Sequence, residues 1–235
     1  MRTIGLIGGM TWRSTVDYYR LINEGVQARL GGAHSADLRM LSVDFGPVED
    51  LQGRGDWEGL GRLMAGAARS LEMAGAEALV LCTNTMHRLA DDITGAVKIP
   101  FIHIADATAA AIKKKGLRTI GLLGTRYTME MDFYRGRLEK TYSLTVLIPE
   151  EPGRTSVHDI IYRELAQGVV REESRRSYIS VIEGLRRRGA EGVILGCTEI
   201  PMLIRSGDSP LPVFDTTALH AAAAVEFALA GYARP

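Results

Sequence analysis

The chain reads as an α/β protein made of two duplicated halves. Each half is a Rossmann-like or flavodoxin-like parallel sheet, and the halves are expected to be pseudo-twofold related, with the active site in the cleft they share. Three observations predict this. Arg2-Thr3-Ile4-Gly5-Leu6-Ile7-Gly8 returns as Arg118-Thr119-Ile120-Gly121-Leu122-Leu123-Gly124, at an offset of 116. Gly75-Ala76-Glu77-Ala78-Leu79-Val80-Leu81-Cys82-Thr83 returns as Gly189-Ala190-Glu191-Gly192-Val193-Ile194-Leu195-Gly196-Cys197, so that Thr83 falls opposite Cys197 at an offset of 114. The repeated segments are short, apolar and separated by amphipathic stretches, the pattern of parallel strands covered by helices on both faces. An echo at a nearly fixed offset marks a duplicated unit.

Taken in order, residues 2–8 read as a strand. Ser14-Thr15-Val16-Asp17 reads as a capping box for a helix through Tyr18, Leu21, Ile22 and Val26 that ends near Gly31-Gly32. Residues 38–43 form a second strand, which Asp44-Phe45-Gly46-Pro47 breaks into a loop. A helix from about Trp57 to Ala74 leads into a strand over 77–82, and Thr85-Met86-His87-Arg88-Leu89 starts the next helix before a strand over 99–104. The second half repeats this with strands near 118–123, 143–148 and 191–196. Two consecutive helices fill 155–188, and a last strand over 211–214, led by Pro212 as the earlier one is led by Pro100, precedes an alanine-rich helix over 217–230. The expected division is 1–100 with 215–235 for the first half and 101–214 for the second. No low-complexity linker separates them.

Bulk properties exclude several classes. The 235 residues are 46% hydrophobic and 24% charged, which is ordinary globular material. Lys+Arg 28 against Asp+Glu 28 leaves no net charge to recruit nucleic acid or an acidic membrane. No apolar run approaches the roughly 20 residues that a bilayer needs. The first residues read as a strand, since a signal peptide would carry a longer apolar segment and a cleavage site. The two cysteines are expected to be free thiols in a cytoplasmic protein.

In open α/β sheets ligands bind beyond the carboxyl ends of strands. The echoed strands are followed by four loops: Gly8-Gly9-Met10-Thr11-Trp12, Thr83-Asn84-Thr85, Gly124-Thr125-Arg126-Tyr127-Thr128 and Cys197-Thr198-Glu199. Gly5-Leu6-Ile7-Gly8-Gly9 lacks the G-x-G-x-x-G spacing, and Asp44 lies 35 residues beyond Gly9 where about 20 is expected of a dinucleotide site. A tight strand-to-helix turn accounts for these glycines.

Cys82-Thr83-Asn84-Thr85 sets short polar side chains after an apolar strand, which is costly unless they bond something. With backbone N–H groups at the following helix start they suit a carboxylate. Helix capping by Thr85 explains one of them, not three. Cys197-Thr198-Glu199 follows the same logic. A thiol titrating near 8.5 is readily shifted into use as a base, and the helix start at Glu199-Ile200-Pro201 is expected to lower it. The alternative is a buried, inert cysteine. Thr125 and Thr128 stand one turn apart and read equally as a carboxylate cradle or as a helix cap. Gln52 and Arg54, in the loop after the second strand, could reach the cleft mouth. The five histidines show no metal-ligand spacing, and neither a pyridoxal-phosphate lysine nor a Ser-His-Asp set is visible.

Together Gly8-Gly9-Met10, Asn84-Thr85, Gly124-Thr125 with Thr128, and Gly196-Cys197-Thr198-Glu199 resemble the aspartate/glutamate racemase family, over essentially the whole chain. The resemblance implies cofactor-independent racemisation of a small amino acid. One side chain removes the α-proton and another delivers a proton to the opposite face. It also implies a homodimer.

The family's first motif is Cys-Asn-Thr, whereas here Thr83 precedes Asn84 and Cys82 lies one position earlier. Neighbouring side chains on a strand point to opposite faces, so Cys82 does not simply take over. The chain is thus similar to the branch with a Thr/Cys pair, which comprises L-aspartate/glutamate-specific and broad-specificity racemases. The implied catalytic set is Thr83, Cys197 and Glu199, with Glu199 orienting or polarising the thiol. Met10, Gln52, Asn84, Thr85, Thr125, Thr128 and Thr198 hold the substrate, with no cofactor and no metal. Arg54 and Arg126 are the cations available for an acidic side chain. A one-cysteine decarboxylase, a cis–trans isomerase of small diacids and a non-catalytic small-acid binding protein are the competing readings.

Overall fold

The computed structural model describes residues 1–232. They divide into two compact units, Met1–Ile104 with the chain from His220 on, and Ala105–Leu219. Each unit holds one four-stranded, wholly parallel sheet. In the first unit the strands are β1 (Ile4–Gly8), β2 (Leu38–Ser42), β3 (Ala78–Leu81) and β4 (Phe101–Ile102), in the order β2-β1-β3-β4. In the second they are β5 (Thr119–Gly124), β6 (Thr145–Leu147), β7 (Gly192–Gly196) and β8 (Val213–Asp215), in the order β6-β5-β7-β8. The same order twice is the structural form of the sequence echo.

The helices are α1 (Trp12–Leu30), α2 (Phe45–Gly53), α3 (Trp57–Met73), α4 (Ala90–Ala96) and α5 (Ile104–Lys114), then α6 (Arg126–Glu130), α7 (Asp132–Tyr142), α8 (Gly153–Arg163), α9 (Glu172–Arg187) and α10 (Thr216–Leu229). In the first unit the strand residues alternate between two cores, as a two-residue period dictates. Ile7, Leu79 and Leu81 pack with Leu60, Met64, Ala68 and Leu71 of α3. Ile4, Leu6, Ala78, Val80 and Cys82 pack with Tyr18, Ile22 and Val26 of α1 and with Ala221, Ala224 and Val225 of α10.

The repeated Gly-Ala-Glu turn does the same work in both units. Gly75 and Gly189 adopt φ of 87° and 95°, left-handed values that side chains avoid. Each turn delivers a glutamate to the start of the unit's first strand. Glu77 accepts from the Thr3 N–H at 2.7 Å, and Glu191 accepts from the Arg118 and Thr119 N–H groups at 2.7 and 2.8 Å. Those backbone donors, Thr119 first, hold the Glu191 carboxyl below its usual range.

Three local expectations need correction. Helix α1 begins at Trp12 rather than after Ser14, and no side chain caps it. Thr15, read as part of a capping box, is buried one turn in and serves the preceding loop. Asp44-Phe45-Gly46-Pro47 does not break into a loop. Asp44 accepts from the Gly46 N–H at 3.2 Å and starts α2, whose first turn tolerates Pro47 because the N–H that proline lacks has no helical partner there. The strand expected over 99–104 is reduced to Phe101–Ile102, since α5 already starts at Ile104.

Candidate active site

In the first unit the register Ile7↔Leu81 brings the ends of β1 and β3 out of the sheet side by side. After β1, the Thr15 hydroxyl accepts from the Gly9 N–H at 2.8 Å and donates to the Thr11 carbonyl at 3.1 Å, which fixes the Gly9-Met10-Thr11 turn. Met10 is buried with the core that lines α3.

After β3, Cys82 has no solvent exposure and packs with Leu6 and Val80. Burial pushes its thiol well above the usual range. Thr83, Asn84 and Thr85 follow, all buried, and lead into a 3-10 helix over Thr85–Leu89. Asn84 occupies the capping position of this helix and makes no side-chain cap bond. Gln52 lies inside α2 and is buried, not in a loop as expected. Arg54 follows at the helix end with its side chain 75% exposed, 4.0 Å from Asp50.

In the second unit the register Gly124↔Gly196 places Thr125 and Cys197 at adjacent strand ends. A Cβ on Gly196 would lie 2.7 Å from the Leu123 carbonyl oxygen, so only glycine lets β5 and β7 approach this closely just before Cys197. Thr125 caps α6. Its hydroxyl accepts from the Thr128 N–H at 3.3 Å and lies 3.2 Å from the Thr128 hydroxyl. Thr128 is wholly buried. Arg126 donates to the Thr155 hydroxyl at 3.1 Å and lies 3.6 Å from Glu130.

The most telling group is Cys197-Thr198-Glu199. The Cys197 thiol donates to Glu199 Oε2 at 2.9 Å, and the Thr198 hydroxyl donates to the same oxygen at 2.8 Å. All three residues are buried. Burial first, and then the Glu199 charge, raise the thiol well above its ordinary range. This reverses the expected lowering by a helix start. The 3-10 helix Ile200–Met202 is only three residues long, too short for a useful dipole, and a carboxylate at contact distance outweighs it.

The structure thus gathers Met10, Thr83, Asn84 and Thr85 at the strand ends of the first unit. Thr125, Cys197, Thr198 and Glu199 gather at the equivalent ends of the second. Sequence reasoning missed the histidines. His87, His103 and His220 come together around β4, with ring centroids 4.6 Å (His87–His103) and 5.5 Å (His87–His220) apart. Their spacing in the chain gave no hint of this, because the polar partners of His87 are backbone atoms and the Tyr18 hydroxyl that meets His220 is 202 residues away in sequence. Among the described residues no group of three or more His, Cys, Asp or Glu could hold a metal ion, and no helix is long and apolar enough to cross a membrane.

Residues 7–224 match the sequence profile of the Asp/Glu/Hydantoin racemase family. A broad specificity amino-acid racemase, RacX of Bacillus subtilis (strain 168), is 22% identical over 228 residues, covering 97% of this chain and 98% of that protein. The crystal structure of a proposed Asp/Glu racemase from Yersinia pestis is 53% identical with a TM-score of 0.93, covering 97% of this chain and 100% of the other. That of an aspartate racemase homologue from Pyrococcus horikoshii OT3 is 36% identical with a TM-score of 0.85, covering 97% and 99%. The duplicated parallel sheets, the polar strand ends and this match over nearly the whole length have one explanation: the chain belongs to the Asp/Glu/hydantoin racemase family and is an isomerase.

Proposed function

We propose that the protein racemises aspartate or glutamate without a cofactor, by proton transfer on both faces of the α-carbon, with Cys197 serving one face and Thr83 the other. The observation that carries this reading is the Cys197–Glu199 pair, in which a buried thiol donates to a buried carboxylate at 2.9 Å. A thiol held protonated is a poor nucleophile at rest. Once its proton passes to Glu199, the thiolate that remains is a strong base, matched to a weakly acidic C–H. In the reverse sense the thiol hands its proton to the carbanion. Thr198, which donates to the same carboxylate oxygen, keeps Glu199 aimed at the sulfur. Asn84, Thr85 and Thr125 would hold the substrate carboxylate, whose negative charge grows as the α-proton leaves, with Thr198 joining them when its one hydroxyl proton turns from Glu199. Thr128, Met10 and Gln52 complete the proposed substrate-binding set.

A threonine hydroxyl is a poor base near neutral pH, so Thr83 delivers or relays a proton less competently than Cys197. Exchange of the α-proton for deuterium is then fast for one enantiomer and slow for the other. The test is to follow deuterium incorporation into L- and D-aspartate and L- and D-glutamate, with Cys197→Ala as control. Unequal initial rates, abolished on the fast side by the substitution, are expected. Equal rates reject the asymmetry. Turnover of malonate or maleate in place of exchange favours the decarboxylase or cis–trans isomerase reading, and binding with no chemistry favours a binding protein.

A second reading, a broad substrate range, is favoured by the two cations. Arg54 is largely exposed, and Arg126 is engaged with Glu130 and Thr155, so neither is visibly committed to a substrate carboxylate. The same proposal includes a cytoplasmic homodimer, whose size light scattering measures.

A further inference from the structure

His87 bridges two backbone segments of the first unit. Its Nδ1 lies 2.7 Å from the Thr83 carbonyl oxygen, and its Nε2 lies 3.2 Å from the Ile104 N–H. A carbonyl oxygen only accepts and a backbone N–H only donates. The ring therefore carries its proton on Nδ1, which donates to Thr83, while Nε2 accepts from Ile104. The imidazole is buried, packed against Phe101 at 5.3 Å and edge-on to His103 at 4.6 Å.

A second histidine holds the other side of the same strand end. His220 Nε2 donates to the Ile102 carbonyl at 2.7 Å, and its Nδ1 lies 2.8 Å from the Tyr18 hydroxyl, which donates to it. Residues 102 and 104 are thus both pinned, and His87 carries that rigidity to the backbone of Thr83.

The second unit does this differently. At the offset of 114 that aligns Thr83 with Cys197, His87 aligns with Pro201, which has no side-chain donor. There the Cys197 carbonyl accepts from the Ile200 N–H at 3.2 Å. At the offset of 112 between Pro100 and Pro212, Ile104 aligns with Thr216. The Thr216 hydroxyl, at the start of α10, donates to the Leu195 carbonyl inside β7 at 2.8 Å, so the helix start is tied to the strand without an imidazole. The imidazole brace is present only in the half whose reactive residue is a threonine. A hydroxyl with a poorly matched pKa depends on placement more than a thiol does.

We infer that His87, as its Nδ1–H tautomer, is the positioning residue that sets Thr83 for proton transfer. This inference rests on the racemase reading. Two substitutions separate the two ends of the brace. An asparagine amide reaches where Nδ1–H stood and keeps the bond to Thr83. A glutamine reaches where Nε2 stood and keeps only the bond from Ile104.

The experiment measures α-proton exchange in deuterated buffer for L- and D-aspartate and L- and D-glutamate. The Thr83 side is defined as the enantiomer whose exchange Thr83→Ala abolishes. His87→Gln should slow that side by about tenfold, the scale of one lost buried hydrogen bond, and leave the Cys197 side within about twofold of the parent. His87→Asn should restore the slow side. Equal loss on both sides, no loss, or no rescue overturns the inference. Long-range nitrogen–proton NMR of the unsubstituted protein is a check that needs no variant to fold. An Nδ1–H tautomer is expected for His87, and an Nε2–H or doubly protonated ring overturns the brace. If the parent exchanges neither acid, the racemase reading fails and the catalytic role of His87 fails with it, while the tautomer still reports whether the brace exists.

Discussion

The Cys197 thiol and the Glu199 carboxylate share one hydrogen bond of 2.9 Å, and the carboxylate that orients the sulfur also resists its ionisation. Orientation and basicity are thereby coupled through a single pair, and that coupling can be broken experimentally.

Glu199→Gln keeps a polar partner for the sulfur but removes the charge. The carboxylate raises the thiol, so its loss should move thiolate formation at Cys197 to lower pH, though burial still holds it above an ordinary thiol. Thiolate ultraviolet absorbance across a pH titration, compared with Cys197→Ala, reads the shift. A midpoint that stays put would mean the charge does not act on the sulfur.

Stability should decline in alkali. Cys82 and Cys197 are raised from an ordinary value of 9.0, and Tyr134 and Tyr178 from 10.0, each with burial as the leading cause. The folded chain keeps these protons while the unfolded chain releases them. From about pH 9 upward the unfolded state therefore binds fewer protons, and unfolding becomes easier as pH rises. Below that range the four groups are protonated in both states and contribute no slope. Urea midpoints at about pH 8 and about pH 10 test the sign. An unchanged midpoint contradicts it.

Gly196→Ala forces a Cβ to within 2.7 Å of the Leu123 carbonyl oxygen and 2.9 Å of Leu122 Cδ1. The backbone oxygen cannot move without opening the β5–β7 pairing. A loss of about 1–3 kcal/mol in urea unfolding is expected, together with a fall in kcat larger than any change in KM, because the next residue, Cys197, is the proposed base.

Thr15→Val preserves shape and deletes the hydroxyl that accepts from the Gly9 N–H. A buried N–H without a partner costs about 1–3 kcal/mol, measurable as a lowered urea midpoint. The same change loosens the Met10 turn, so KM should rise as well on the proposed contact of Met10 with substrate. A variant as stable as the parent would show that another group takes over the Gly9 N–H.

Much of this architecture was legible in the sequence because the duplication repeats function as well as residue type. Glu77 and Glu191 pin equivalent strand starts, and Gly75 and Gly189 share a left-handed turn. Strand periodicity set Cys82 aside from the reactive position, and Cys82 lies in the core between β-strands and helices, although β3 itself ends at Leu81.

Less legible were features set by three-dimensional neighbours. Asp44 looked like a loop former, yet as a cap it starts α2, and that helix carries Gln52 into the interior. Cys197 was expected to be acidified by a helix start. The rule was sound, but the helix is three residues long and Glu199 stands closer. His87 escaped notice because both its partners are main-chain atoms, and a sequence does not reveal which carbonyl a side chain will meet.

The two sulfurs differ in one further respect. Cys82 shows no surface to solvent, whereas Cys197 keeps 9% of its own. Because the Cys197 thiol is held protonated, a small alkylating reagent should mark it slowly at neutral pH and faster as pH rises, at one sulfur per folded chain and two after unfolding. The unaltered polypeptide thus carries its own occupancy reporter: any acid that settles over Cys197 shields it, and the slowing of labelling gives an affinity without a tag, a dye or turnover.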